Sequence, residues 1–147
     1  MKPFMETMNK ILPDTQIFLW SVGQTSRFSA DAADLLKDDL VEKYFSAVCA
    51  WEIAIKYSNG KLSLPEPPDV FVPKRRFQTG FKMLPITEDH VLQVAFLPFH
   101  HKDPFDRLLI AQAMVENLPI LTADPLFKLY SVKIIDAEKY KADEQIN

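Results

Sequence analysis

Asp14, Glu52, Asp106 and Asp124 are the residues of this sequence whose type and spacing could do chemistry together. Asp14 lies just beyond the apolar run KIL, and Glu52 falls about one and a half turns into the segment after KYFS. Asp106 opens the long apolar run that precedes PILTAD, and Asp124 closes PILTAD. If those short runs are parallel strands, all four acids can point at one edge of the sheet, where ligands collect. Carboxylates that converge without matching cations repel one another, so such a set is tolerable when a divalent cation neutralises it. All-oxygen ligation suits Mg²⁺ or Mn²⁺ rather than zinc. An ion so held orients a phosphate oxygen, sharpens an attacking water and steadies the leaving oxygen, which is the chemistry of phosphodiester hydrolysis.

Each acid also has a structural role open to it. Asp14 could cap the helix that follows. Glu52 could pair with Lys56 at i,i+4, although a carboxylate in so apolar a helix needs a strong partner, and a metal ion is one. Asp106 sits where the helix dipole favours an acid, and Asp124 could cap a short helix. Asp103 precedes Pro104, the preferred first helical residue, so capping is its expected role. His100 and His101 are adjacent and no cysteine joins them, so a turn role or a hydrogen bond is expected of them rather than metal ligation. His90, in the first turn of its helix, is expected to be solvated or capping. Lys74, Arg75, Arg76 and Arg107 could hold a nucleic-acid backbone, or a charge run of this kind could simply be solvated. No Gly-rich phosphate loop is present, which argues against nucleoside-triphosphate hydrolysis. A phosphatase using Asp14 as nucleophile fits poorly, because Thr15 and Gln16 follow it without a second acid two residues on.

Short strands alternating with helices must position these groups. The expected strands are KIL, KYFS, FKMLPI, PILTAD and SVKII. Between them, helices are expected over 15–23, over 29–39 with Ser29 as N-cap, over 47–60 with Ser46 as N-cap, over 87–98 from Thr87, and over 103–119. The 47–60 helix is apolar on nearly every side, so packing on more than one face is expected. Residues 62–77 hold four prolines and are expected to form a loop or irregular turns. Residues 1–8 are expected to be a flexible extension, and 136–147 a polar tail. The pattern implies an α/β fold with a parallel sheet covered on both faces, and the length of 147 residues suits one domain.

A formal charge of −3 excludes a global basic field, so any nucleic-acid contact must be local. The single cysteine, Cys49, excludes an intrachain disulfide and is expected to be a buried, inert thiol. MKPFMETMNK lacks the apolar core of a signal peptide, and no stretch approaches the roughly 20 apolar residues of a membrane span, so a cytoplasmic protein is expected.

LPDTQIFLW, SAVCAWEIAIKYSNGKLSLP, LPFHHKDPFDRLLIAQA and ILTADPLFKLYSVKII, in this order and spacing, resemble the PIN-domain ribonucleases, and within them the VapC-like toxins of type II toxin–antitoxin pairs. The resemblance covers about residues 9 to 135. It implies a PIN-like three-layer α/β/α fold with a five-stranded parallel sheet, and Mg²⁺- or Mn²⁺-dependent cleavage of RNA. By position, Asp14, Glu52 and Asp106 match the three core acids. Asp124 matches the fourth, which acts through water or completes the metal shell, and Asp103 matches a secondary position. It also implies a cognate antitoxin as partner and a homodimer. Family members usually carry Leu-Leu-Asp-Thr-His where this chain has LPDTQ. Pro13 and Gln16 therefore leave a second reading, a catalytically weak PIN-fold protein that serves antitoxin or operator-complex binding.

Overall fold

The computed structural model describes residues 9–137. Short apolar runs become strands β1 (Lys10–Pro13), β2 (Glu42–Ser46), β3 (Lys82–Leu84), β4 (Ile120–Thr122) and β5 (Ile134–Asp136). They pair in parallel throughout, in the order β3-β2-β1-β4-β5. Because side chains alternate along a strand, Leu12 and Ile120 enter one apolar cluster while Ile11 and Leu121 enter another. Both faces are thus buried, and the three-layer α/β/α fold with a five-stranded parallel sheet is the one expected.

The described residues hold six α-helices: α1 (Thr15–Ser21), α2 (Ala30–Lys37), α3 (Ala47–Ser58), α4 (Pro68–Thr79), α5 (Glu88–Gln93) and α6 (Pro104–Glu116). One face of the sheet is covered by Ala32 and Leu35 of α2 with Ile17 and Trp20 of α1. The other is covered by Cys49 and Ile53 of α3, Phe71 of α4, and Leu109 and Ile110 of α6. Side-chain caps fix where these helices start. Ser29 Oγ accepts the Ala32 N–H at 3.2 Å, Ser46 Oγ accepts the Val48 N–H at 2.9 Å, and Asp103 Oδ1 accepts the Phe105 N–H at 2.8 Å.

Several expectations are refined. The proline-rich stretch is not a loop, since its second half is α4. Pro65 and Pro67 precede that helix, Pro68 sits in its first turn, and Asp69 favours its N-terminal end. Only Pro73 lies inside, and burial of Phe71 and Val72 together with a left-handed Gly80 cap (φ 75°) offsets the hydrogen bond it removes. The 87–98 helix is α-helical only to Gln93 and continues as a 3₁₀ turn, Val94–Phe96. Helix α3 packs on α1, α4 and α6 but leaves Trp51 and Ile55 exposed on its outer side. The expected polar tail starts too early, because Asp136 belongs to β5 and Ala137 is fully buried. The remainder of that tail, and the extension 1–8, lie outside the described residues.

Pro13 is accommodated by the sheet's geometry. Parallel strands alternate their bonds between neighbours, and β4 is bonded by the N–H groups of Leu12 (to Pro119 O, 2.8 Å) and Asp14 (to Leu121 O, 3.0 Å). The donor that proline lacks would face the β2 side, past the last β1–β2 pair, Ile11 with Lys43.

Candidate active site

The sheet order reverses at β1, whose neighbours β2 and β4 carry their chains away in opposite directions. At such a switch point the loops beyond the strand ends part and leave a crevice. Here it is a cavity of about 590 Å³. Asp14, Glu52, Asp103, Asp106 and Asp124 all line it. The structure therefore brings together the four acids and the secondary one singled out from the sequence.

Each acid is held by its own element. Asp14 follows β1 directly, and only 6% of it is exposed. Its Oδ1 accepts the Ile17 N–H at 2.9 Å, so it does cap α1, while Oδ2 accepts the Thr122 hydroxyl of β4 at 2.5 Å. Glu52, buried in α3, accepts the Thr15 hydroxyl at 2.6 Å on Oε1 and pairs with Lys56 through Oε2. Asp103 caps α6, and Asp106 stands one turn in. Asp124 caps the 3₁₀ turn Pro125–Leu129 by accepting the Leu126 N–H at 2.9 Å. The structural roles weighed for Asp14, Glu52, Asp103 and Asp124 are all realised, and all four still face the cavity.

The electrostatics show a surplus of negative charge. Burial pushes the Asp14 carboxyl up to about 6, against the lowering effect of its two hydrogen bonds, with Glu52 and Asp124 adding to the rise. Burial likewise lifts Asp106 to about 8, reinforced by Asp103, Glu52, Asp14 and Asp124. Lys56, Lys61 and Arg27 line the cavity on its cationic side, Arg27 lying 4.0 Å over the Trp20 ring.

Some participants lacked a sequence signal. Thr15 and Thr122 act through hydrogen bonds to acids 37 and 108 residues away, so only the fold reveals them. His101 makes the hydrogen bond expected of it, and makes it to two of the site's acids. Its Nε2 lies 2.9 Å from Asp106 Oδ2 and 3.1 Å from Asp124 Oδ2. His90 is fully buried rather than solvated, and it forms the capping box of α5 with Thr87. Cys49 is buried, and desolvation raises its thiol far above the usual range, as expected of an inert group.

Lys74, Arg75, Arg76 and Arg107 are not among the residues that line the cavity. Lys74 pairs with Glu66, Arg75 lies over Phe71, and neither lines the cavity. Arg107 is buried and donates to the carbonyls of Pro98 (2.8 Å) and Leu97 (3.3 Å).

Compared with known proteins, residues 11–133 match the model of the PIN domain family. The chain belongs to the PIN-domain family. Among curated proteins, this PIN domain is 40% identical over 68 residues to Ribonuclease VapC16 of Mycobacterium tuberculosis. That match spans 44% of the chain and 47% of the relative, so about half the length of each. Among solved structures, the PIN domain shares its fold with VapBC2 from Rickettsia felis bound to a DNA fragment from their promoter. The TM-score there is 0.64 at 14% identity, covering 88% of this chain and 99% of that one. It also resembles VapBC-1 from nontypeable Haemophilus influenzae, with a TM-score of 0.58 at 13% identity over 86% of this chain and 97% of that one.

Proposed function

We propose that this PIN domain is a metal-dependent endoribonuclease and the toxin of a toxin–antitoxin pair, working in the cytoplasm under the control of a cognate antitoxin. The observation that carries the reading is the group of acids in one cavity, with two of them lifted well above the carboxylate range by burial and by one another. Such a cluster is short of positive charge, and its oxygen donors fit Mg²⁺ or Mn²⁺. A ribonuclease among the relatives and toxin–antitoxin complexes among the fold neighbours support the substrate and the partner.

Asp14, Glu52 and Asp106 would hold the ion, and Asp124 would complete the site. When bound, the ion supplies the charge that polarises the phosphate and activates water. The chain's own groups do the positioning. Thr122 and the Ile17 N–H lock the Asp14 carboxylate, and Thr15 fixes one oxygen of Glu52. Lys61 and Arg27 at the cavity can meet the phosphates flanking the scissile bond.

Cleavage of a mixed structured RNA pool by the purified, antitoxin-free protein tests this, with Mn²⁺ or Mg²⁺ against chelator. Cutting is expected with metal and not with chelator. Asp106→Asn should lower it by about 10³-fold, the equivalent of several kcal/mol of transition-state charge stabilisation. Undiminished cutting by a folded Asp106→Asn protein would overturn the reading.

A further inference from the structure

We infer that Arg27, seated on the Trp20 ring, and Gln16 form a subsite for one unpaired base of the RNA. The inference rests on the ribonuclease reading above and deepens it, by naming what the chain grips besides phosphate. Gln16, Trp20 and Arg27 line the same cavity as the four acids. Gln16 and Trp20 are four residues apart on α1, so they share a face of that helix.

The part of the cavity they build differs chemically from the rest. Trp20 is 3% exposed, buried in the α2 layer with its ring centre 5.9 Å from that of Phe28, so its plane is fixed. The Arg27 guanidinium carbon lies 4.0 Å over that ring, and Leu19 and Ala123 add apolar lining. From the layer on the other face of the sheet, α3 and the chain after it contribute lysines instead, Lys56 and Lys61. A lysine ammonium is a compact point charge that suits a phosphate oxygen. An arginine laid on an aromatic ring is a flat, weakly hydrated surface, and unpaired bases stack on such surfaces.

The indole covers one side of the Arg27 guanidinium while the residue stays exposed, so a base can stack on the outer side. The N–H groups at its edge, one of which donates to Gln24 Oε1 at 3.3 Å, are the part that pairs with acceptors, phosphate oxygens included. A phosphate gains nothing from an indole, Leu19 and Ala123, whereas a base gains apolar contact from them. Gln16 is exposed, and its amide offers an acceptor and two donors, the kind of pairing that a base edge presents. Stacking here requires a base that has left its own helix, so the subsite selects an unpaired nucleotide and Gln16 reads its edge.

Filter binding of the uncleaving Asp106→Asn protein tests this with two probes, random-sequence RNA octamers and an abasic octamer of the same charge. The RNA is expected to bind about tenfold more tightly than the abasic strand. Adding Arg27→Lys keeps the charge and removes the flat face. It should erase most of that advantage while leaving abasic binding and the salt dependence unchanged, whereas Lys61→Ala should weaken both probes alike. Sequencing of the bound octamers is expected to show a base preference at one position that Gln16→Ala abolishes. Equal binding of the two probes, an Arg27→Lys protein that keeps the RNA advantage or weakens both probes alike, or a preference that survives Gln16→Ala would each overturn the proposal. Failure of the protein, folded by circular dichroism, to bind either probe would instead overturn the ribonuclease reading itself.

Discussion

Asp106 and Asp14 carry the site's unbalanced charge, and this makes the fold's stability depend on pH in an unusual direction. A folded-state acid lifted above its unfolded value binds more protons folded than unfolded, so stability falls as pH rises through the interval between the two values. With Asp14 at about 6 and Asp106 at about 8, that interval runs from the ordinary carboxylate range to about pH 8. The metal-free protein should therefore melt at a lower temperature at about pH 8 than at about pH 5. Asp106→Asn should flatten the difference, and saturating Mn²⁺ should raise the melting temperature more at the higher pH. Thermal scans at the two pH values check this, and a metal-free protein more stable at the higher one would show that burial and the neighbouring acids do not lift the two carboxyls. At this scale the sequence revealed the acids, because carboxylates at strand ends have few other reasons to gather. It concealed His101, whose significance lies in reaching Asp124 across 23 residues and in an Nδ1 that meets the Asp103 amide.

At the scale of elements, strands and most helices were legible from caps and periodicity, and α4 was not. A count of prolines hides α4, because position decides: one at a helix start costs nothing and one inside can be offset by burial. Arg107 is a similar case, since a charge at the head of α6 suggested phosphate binding. The fold instead uses it to tie the segment before α6 to the helix, through carbonyls of Val94, Leu97 and Pro98, with Phe99 4.3 Å from the guanidinium carbon. Arg107→Met should thus strand buried acceptors and lower stability by about 2–4 kcal/mol in urea unfolding, while cleavage per folded molecule is unchanged. Loss of activity without loss of stability would return Arg107 to the substrate.

For the molecule as a whole, charge −3 and three cations at the cavity define how RNA would be held. With Arg27 and Lys61 meeting phosphates, the logarithm of RNA affinity should fall with the logarithm of salt at a slope of about −1.4, and Lys61→Ala should reduce that slope by about 0.7. Filter binding of the uncleaving Asp106→Asn protein measures both, and a much steeper slope would mean a wider basic surface than the cavity offers. No helix among the described residues is long and apolar enough to cross a membrane. The overall architecture was the most legible level of all, since parallel strands buried on both faces leave few alternatives. What the sequence left unsaid was the strand order, and the order has a consequence for how the protein is made. The centre of the sheet is β1 beside β4, and Asp14 at the end of β1 takes its shortest hydrogen bond from Thr122 on β4. These two partners lie 108 residues apart in the sequence. A chain made only as far as Pro119 would hold Asp14, Glu52 and Asp106 but neither β4 with Thr122 nor Asp124, so the candidate site is completed only after the strand that locks its first acid has been made.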